Sequence, residues 1–169
     1  MKLHILNPLL AVETPLTSAF SGLIEEIAYD TLEIPFECRN ELSKFYANGT
    51  LGSEDRKLYD KDALFAHLNK HHAGKNILLF LDGPLVQSTY GDYRAINGFY
   101  QNGHALVAGD MSEEKQRATG IHELGHHYDL KHHSDCVMQT GHPKPETFCS
   151  ECTATLESLV EETCAPRAV

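Results

Sequence analysis

The sequence predicts an α/β (α+β) fold: one domain with a small mixed sheet, several helices, a long helix that follows Asp110 and stops near residue 129, and a C-terminal helix. Three observations carry this. Short apolar runs of strand length occur at Lys2–Leu6, Ile77–Leu81 and Ala105–Ala108. Between and after them lie longer stretches in which apolar residues recur at helical spacing. The chain has 169 residues, 41% of them hydrophobic, enough for one genuine core.

Lys2–Leu6 reads as the first strand. Thr14-Pro15 then marks a helix start, a capping hydroxyl before a proline at the first helical position. Leu16, Ala19, Phe20, Leu23, Ile24 and Ile27 continue it as an amphipathic scaffold helix of about four turns. Leu32–Cys38 alternates partly and reads as a second strand, with Cys38 a small buried residue. Asn48–Glu54, carrying Asn-Gly and Leu-Gly-Ser, reads as a loop. Asp60 or Asp62 caps a helix running to about His72, with Leu64, Phe65 and Leu68 inward and Gly74 as its stop. His67, His71 and His72 on it lack carboxylate or cysteine partners at ligand spacing and read as surface or packing residues.

Asn76–Leu81 is a continuous apolar run, as in a central strand covered on both faces, and Asp82-Gly83-Pro84 ends it. The polar segment Tyr90–Asn97 reads as a loop. Gly98–Tyr100 and Ala105–Ala108 flank Gln101-Asn102-Gly103-His104, a hairpin signal. As an edge strand, 105–108 would pair with an extended peptide by strand addition. Asp110 and Glu113 form a candidate capping box for the next helix, whose apolar side is Ala118, Ile121, Leu124 and Tyr128. Gly125 costs that helix stability and implies close packing or a cleft at that point. After His133 the chain is irregular, with Pro143 and Pro145, until about Thr147. A last helix then carries Phe148, Cys152, Leu156 and Leu159 on one side.

Composition narrows the function. The net charge of −10 makes a nucleic-acid partner unexpected. No stretch approaches the roughly 20 apolar residues of a membrane span. The apolar start, Met1–Val12, is interrupted by His4, Asn7 and Pro8, and no cleavage pattern follows. The five cysteines are odd in number, and three lie among histidines near the C-terminus. They read as metal ligands in a reducing, cytoplasmic setting.

His122-Glu123-Leu124-Gly125-His126 is H-E-x-x-H. Two histidines four apart share one helix face, so their imidazoles can converge on one ion. Glu123 lies about a quarter turn round, beside the first ligand, where a carboxylate takes a proton from metal-activated water. His132, six residues after His126, falls at the third-ligand position of the extended pattern. His133 beside it is the alternative for that role. The helix must stop near residue 129 for His132 to return. Asp129 stands where glycine usually makes the turn, and Asp tolerates a left-handed conformation. His127 points about 100° away and is expected to be exposed.

A second constellation follows: His133-x-x-Cys136 and Cys149-x-x-Cys152. Two such pairs close a four-coordinate structural zinc site, which would pin residues 133–147. A redox Cys-x-x-Cys is less apt behind prolines. Cys164 is unassigned.

His122-Glu123-x-x-His126, His132, Cys136-Val137-Met138 and Cys149-Ser150-Glu151-Cys152 together resemble the archaemetzincins, of the metzincin clan of zinc metallopeptidases. The specific resemblance covers about residues 117 to 152. It implies one metzincin-like domain over 1–169, with an upper part to about 127 and a lower part from about 128. It implies two zinc ions per chain. His122, His126 and His132 would hold the catalytic ion with Glu123 as general base, and Met138 would lie in the Met-turn beneath it. Cys136, Cys149 and Cys152 would hold the structural ion. The sequence departs in having Asp129 for glycine, His133 for the first cysteine, and shorter spacers from His133 to Cys136 and from Met138 to Cys149.

The expected activity is peptide-bond hydrolysis by a monomer acting on a peptide or protein. Two alternatives stand beside it. One is a non-catalytic metal-binding protein using the cluster His127, His132, His133 and His142. The other is a zinc hydrolase with a non-peptide substrate. Glu123 discriminates against the first, since storage needs no carboxylate there.

Overall fold

The computed structural model describes residues 1–9, 12–40, 45–47, 50–52, 58–89, 92–141 and 144–164. In chain order these form β1 (Lys2–Leu6), α1 (Glu13–Ala19), β2 (Glu26–Asp30), a 3₁₀ turn (Phe36–Cys38), β3 (Arg39–Asn40), β4 (Phe45–Ala47), β5 (Thr50–Gly52) and β6 (Leu58–Asp60). Then come α2 (Lys61–His71), β7 (Asn76–Phe80), β8 (Leu85–Thr89), β9 (Asp92–Ile96), β10 (Gly98–Gln101), β11 (His104–Val107), α3 (Glu113–His127) and α4 (Ser150–Cys164). The mixed α/β class holds, with the strands in two sheets.

The larger core belongs to the sheet ordered β10-β11-β7-β1-β2. Its four strands β11, β7, β1 and β2 are mutually parallel, and β10 closes one end antiparallel to β11. The continuous apolar run of β7 follows from its central place: Ile77–Phe80 is buried on both faces. Leu78 and Phe80 point toward α1, α3 and α4, meeting Leu16, Ile121, Leu124 and Leu156. Ile77 and Leu79 point the other way, toward Leu64, Phe65 and Leu68 of α2. Asp60 caps α2 by accepting from the Ala63 N–H at 2.9 Å, as its sequence position predicts. The second sheet is ordered β3-β6-β8-β9-β4-β5.

Several sequence expectations are corrected. The first helix does not run to Ile27. It ends at Ala19, Gly22 takes φ +78°, and Glu26–Asp30 becomes a strand beside β1. Thr14-Pro15 is not its cap, because the helix begins two residues earlier, at Glu13 after Val12. Leu32–Cys38 is not a strand: it is extended chain ending in the 3₁₀ turn, with Cys38 buried as expected. In the segment read as a loop, Tyr90 lies outside the described residues, but Asp92–Ile96 is strand β9, paired antiparallel with β8. Tyr93 and Ala95 pack on Val86 while Arg94 is exposed, an alternation hidden by its polar residues. Residues 105–108 are not an edge, since β11 lies between β10 and β7 and the outer strand is β10. Ser112, not Asp110, precedes α3, and its side chain makes no capping bond. The last helix starts at Ser150. Of the loop expected at 48–54, residues 50–52 form β5 and the rest lies outside the described residues, as do His142 and Pro143. Among the described residues no helix is long and apolar enough to cross a membrane.

Candidate metal centres

The helix α3 packs its buried run Ala118–Gly125 onto β10, β11 and β7, which fixes the direction of every side chain on it. His122 and His126 stand one turn apart, with ring centroids separated by 4.8 Å. The helix then ends in a Schellman turn. The Leu130 N–H donates to Gly125 O at 3.2 Å, and the Asp129 N–H donates to His126 O at 3.2 Å. Asp129 is the left-handed residue of that turn, at φ +57°. Leu130, next along, is buried against Gly125. This reversal carries His132 back to the helix. Its ring lies 5.2 Å from that of His122 and 5.0 Å from that of His126.

Hydrogen bonds fix two of the three rings. His122 Nδ1 donates to Val137 O at 2.8 Å, and His126 Nδ1 donates to Leu130 O at 3.2 Å. Both Nε2 atoms are then acceptors in the neutral rings, yet they face each other at 3.2 Å. Burial pushes the His122 pKa down to about 3, reinforced by the Lys144 ammonium, so a shared proton does not explain the approach. A cation does. Two nitrogens on a tetrahedral zinc at about 2.0–2.1 Å lie about 3.3 Å apart. One ring nitrogen from each of His122, His126 and His132 falls in a group within 4.8 Å.

Glu123 is the neighbouring carboxylate. It is 7% exposed, and its carboxylate accepts no hydrogen bond from a described residue. Burial raises its pKa, and Lys144 acts in the opposite sense. Below the histidines, Met138 is fully buried under Gly125, where a Cβ would overlap its Sδ. The close packing inferred from Gly125 is therefore made by methionine.

The second group is Cys136, Cys149 and Cys152, whose sulfurs lie within 4.8 Å of one another as free thiols. Cys136 and Cys152 are 3.7 Å apart, and the Cys149 N–H donates to Cys136 Sγ at 3.2 Å. Sulfurs on a tetrahedral zinc at about 2.3 Å are separated by about 3.8 Å, so the spacing fits. The Cys152 N–H draws the Cys149 thiol pKa down, whereas burial pushes that of Cys152 up. His133 does not join this group. Its Nδ1 is 3.4 Å from Glu151 Oε2, on the first turn of α4. The histidine expected from spacing as a fourth ligand thus stands beside an exposed carboxylate and outside the thiol group.

His127 is not exposed as expected. It is half-buried, with Nδ1 2.9 Å from the Tyr100 hydroxyl, so the alternative cluster of His127 with His132 and His133 does not form. The sequence reading missed two residues at the site. Lys144 places a half-buried ammonium near Glu123, His122 and His126, and a lysine in a proline-rich segment gives no signal of this. Gly98 lies against Glu123; its one signal is a glycine opening a strand.

No protein-family model matches the chain, and no curated protein sequence does. Among solved structures, the chain is similar to the crystal structure of archaemetzincin (AmzA) from Archaeoglobus fulgidus complexed with malonate. The similarity covers 92% of this chain and 99% of that one, with a TM-score of 0.60 and 18% sequence identity. The chain has an archaemetzincin-like fold.

Proposed function

We propose that the chain is a zinc-dependent metallopeptidase with a catalytic zinc on His122, His126 and His132. The observation that carries this is the buried Glu123 carboxylate, without a hydrogen-bond donor among the described residues, beside two imidazole nitrogens that face each other at 3.2 Å. A zinc ion there supplies Lewis acidity toward water and toward a carbonyl oxygen. Glu123 takes the proton of the attacking water and delivers it to the leaving amine. Its burial raises its basicity, and the Lys144 ammonium opposes that rise without overcoming it. The Nδ1 bonds to Val137 O and Leu130 O hold the ligand rings in one tautomer. The outer edge of β10, beside Glu123, offers backbone groups to an extended peptide or protein substrate.

In the same reading Met138 is the apolar floor beneath the zinc ligands. Cys136, Cys149 and Cys152 hold a second, structural zinc, with His133 its fourth ligand once it leaves Glu151. The enzyme acts as a cytoplasmic monomer, with residues from about 128 forming its lower part. A non-catalytic metal store is disfavoured by Glu123, because burying a carboxylate carries a cost that storage does not require.

The test is Glu123→Gln assayed on casein carrying a quenched fluorophore. The variant is expected to retain its zinc and lose at least about 100-fold in turnover. Undiminished hydrolysis removes Glu123 from the role of base. Zinc retained by the triple variant His122→Ala, His126→Ala, His132→Ala at the level of the parent removes the ligand set.

A further inference from the structure

We infer that Gly98 is the positioning residue of the general base: its missing side chain forms the slot in which the Glu123 carboxylate lies. The inference rests on the proposal that Glu123 is that base.

Glycine within a strand is unfavourable, and it usually marks either a positive φ or a close approach by another group. Gly98 does not take a positive φ, unlike Gly22, Gly74, Gly103 and Gly141, so its backbone would accept other residues. What it provides is room. A Cβ at this position would lie 2.6 Å from Thr119 Cγ2, 2.7 Å from Glu123 Oε1 and 2.9 Å from Leu106 O. Thr119 and Glu123 are one turn apart on α3, so both line the side of the helix that meets the start of β10. The third contact is backbone of β11 and cannot yield.

The slot matters because, among the described residues, the Lys144 ammonium faces the carboxylate as a charge but no donor ties it in place. No described residue donates a hydrogen bond to it, and the one hydroxyl nearby in the helix, Thr119 Oγ1, is itself buried without a partner. Packing therefore bounds the position of Glu123 beside that charge, with Gly98 as one wall. Misplacing a reacting group by about 1 Å can lower a rate about 100-fold, so a single methyl here acts on turnover through Glu123.

The experiment compares the zinc-loaded parent with Gly98→Ala, in the presence and absence of Glu123→Asp. Two readouts are taken. One is kcat and KM on quenched-fluorophore casein. The other is the side-chain ¹³C carboxylate resonance of Glu123, identified by its loss in Glu123→Gln. Gly98→Ala is expected to shift that resonance and to lower kcat by more than about tenfold, with KM and zinc content nearly unchanged. With Glu123→Asp, whose shorter side chain withdraws from the added methyl, Gly98→Ala is expected to cost less than about threefold further. An unshifted resonance, or equal losses in both backgrounds, overturns the inference. Should Gly98→Ala not fold, Gly98→Ala with Thr119→Ser removes the 2.6 Å contact and repeats the test. If that variant also does not fold, the glycine serves strand–helix packing and the inference falls. Hydrolysis that survives Glu123→Gln instead defeats the underlying proposal, and the resonance still reports on the slot.

Discussion

At the scale of single residues, Asp129 decides whether the third histidine returns to the other two. Its φ of +57° closes the turn that ends α3. A β-branched side chain there clashes with the backbone, costing roughly 1–2 kcal/mol. Asp129→Val is therefore expected to lower the urea midpoint of the metal-free protein and to weaken zinc binding, while Asp129→Gly is expected to preserve both. Equal zinc affinity in the two variants would refute the link between the turn and the ligand. The buried histidines make a second prediction. In the metal-free protein His122 is held neutral to about pH 3, and burial also lowers the pKa of His104, His126 and His127. Folded-state values below the unfolded value of about 6.5 mean that their contribution is complete above that pH and is lost as pH falls through the window below it. Glu123, raised by burial, pulls the opposite way. Seven histidines lowered in the folded state, His4, His67 and His72 among them, act against this one carboxylate, so the urea midpoint of the metal-free protein should fall between pH 7 and pH 5.5. A midpoint that holds steady or rises would contradict this.

At the scale of elements, α3 is where sequence and structure agree most closely. His122, His126 and His132 are four and six residues apart, so local helix geometry and one turn bring them together. That half of the candidate site was legible because its information is local. Gly98 and Lys144 were not, since each reaches Glu123 through tertiary packing, from β10 and from the segment after Gly141. His133 shows the same limit: spacing suits it to the cysteines, but Glu151 of α4 takes its ring. Among the scaffold elements, β1, α2, β7 and the β10–β11 hairpin follow from periodicity and turn chemistry. The first helix was overextended because Leu23, Ile24 and Ile27 keep a helical period past Gly22, whose positive φ redirects the chain. Strand β9 was hidden because its exposed positions are polar and its inward ones only half-buried. An element-scale prediction concerns Gly125, which lets α3 lie directly on Met138. Gly125→Ala gains helix propensity but overpacks a filled interior, for a net loss of about 1–3 kcal/mol in chemical denaturation. A stabilised variant would show that Met138 is free to move aside.

At the scale of the whole molecule, the two candidate metal centres share one core. Cys136, Val137, Met138 and Cys152 belong to the same buried cluster as Leu78, Ile121 and Leu124. Val137 is common to both centres: its carbonyl receives His122 Nδ1, and its amide donates to Thr147 O at 2.8 Å, just ahead of the second cysteine pair. Arg117 of α3 pairs with Glu146 at 3.2 Å across the same junction. The described stretch from Lys131 to Cys149 has no helix or strand of its own, so its order depends on these ties and on the thiol group. An ion bound only by the folded state stabilises it by about 4 kcal/mol at a thousand times its Kd, and that free energy reaches every element in one cooperative unit. Cys152→Ser is therefore expected to bind one zinc instead of two and to unfold at a lower temperature. Far-ultraviolet and aromatic circular dichroism should still follow a single transition, and zinc affinity at the histidines should weaken with it. Two separated transitions, or a histidine centre of unchanged affinity, would show instead that the region around the cysteines folds independently of α3.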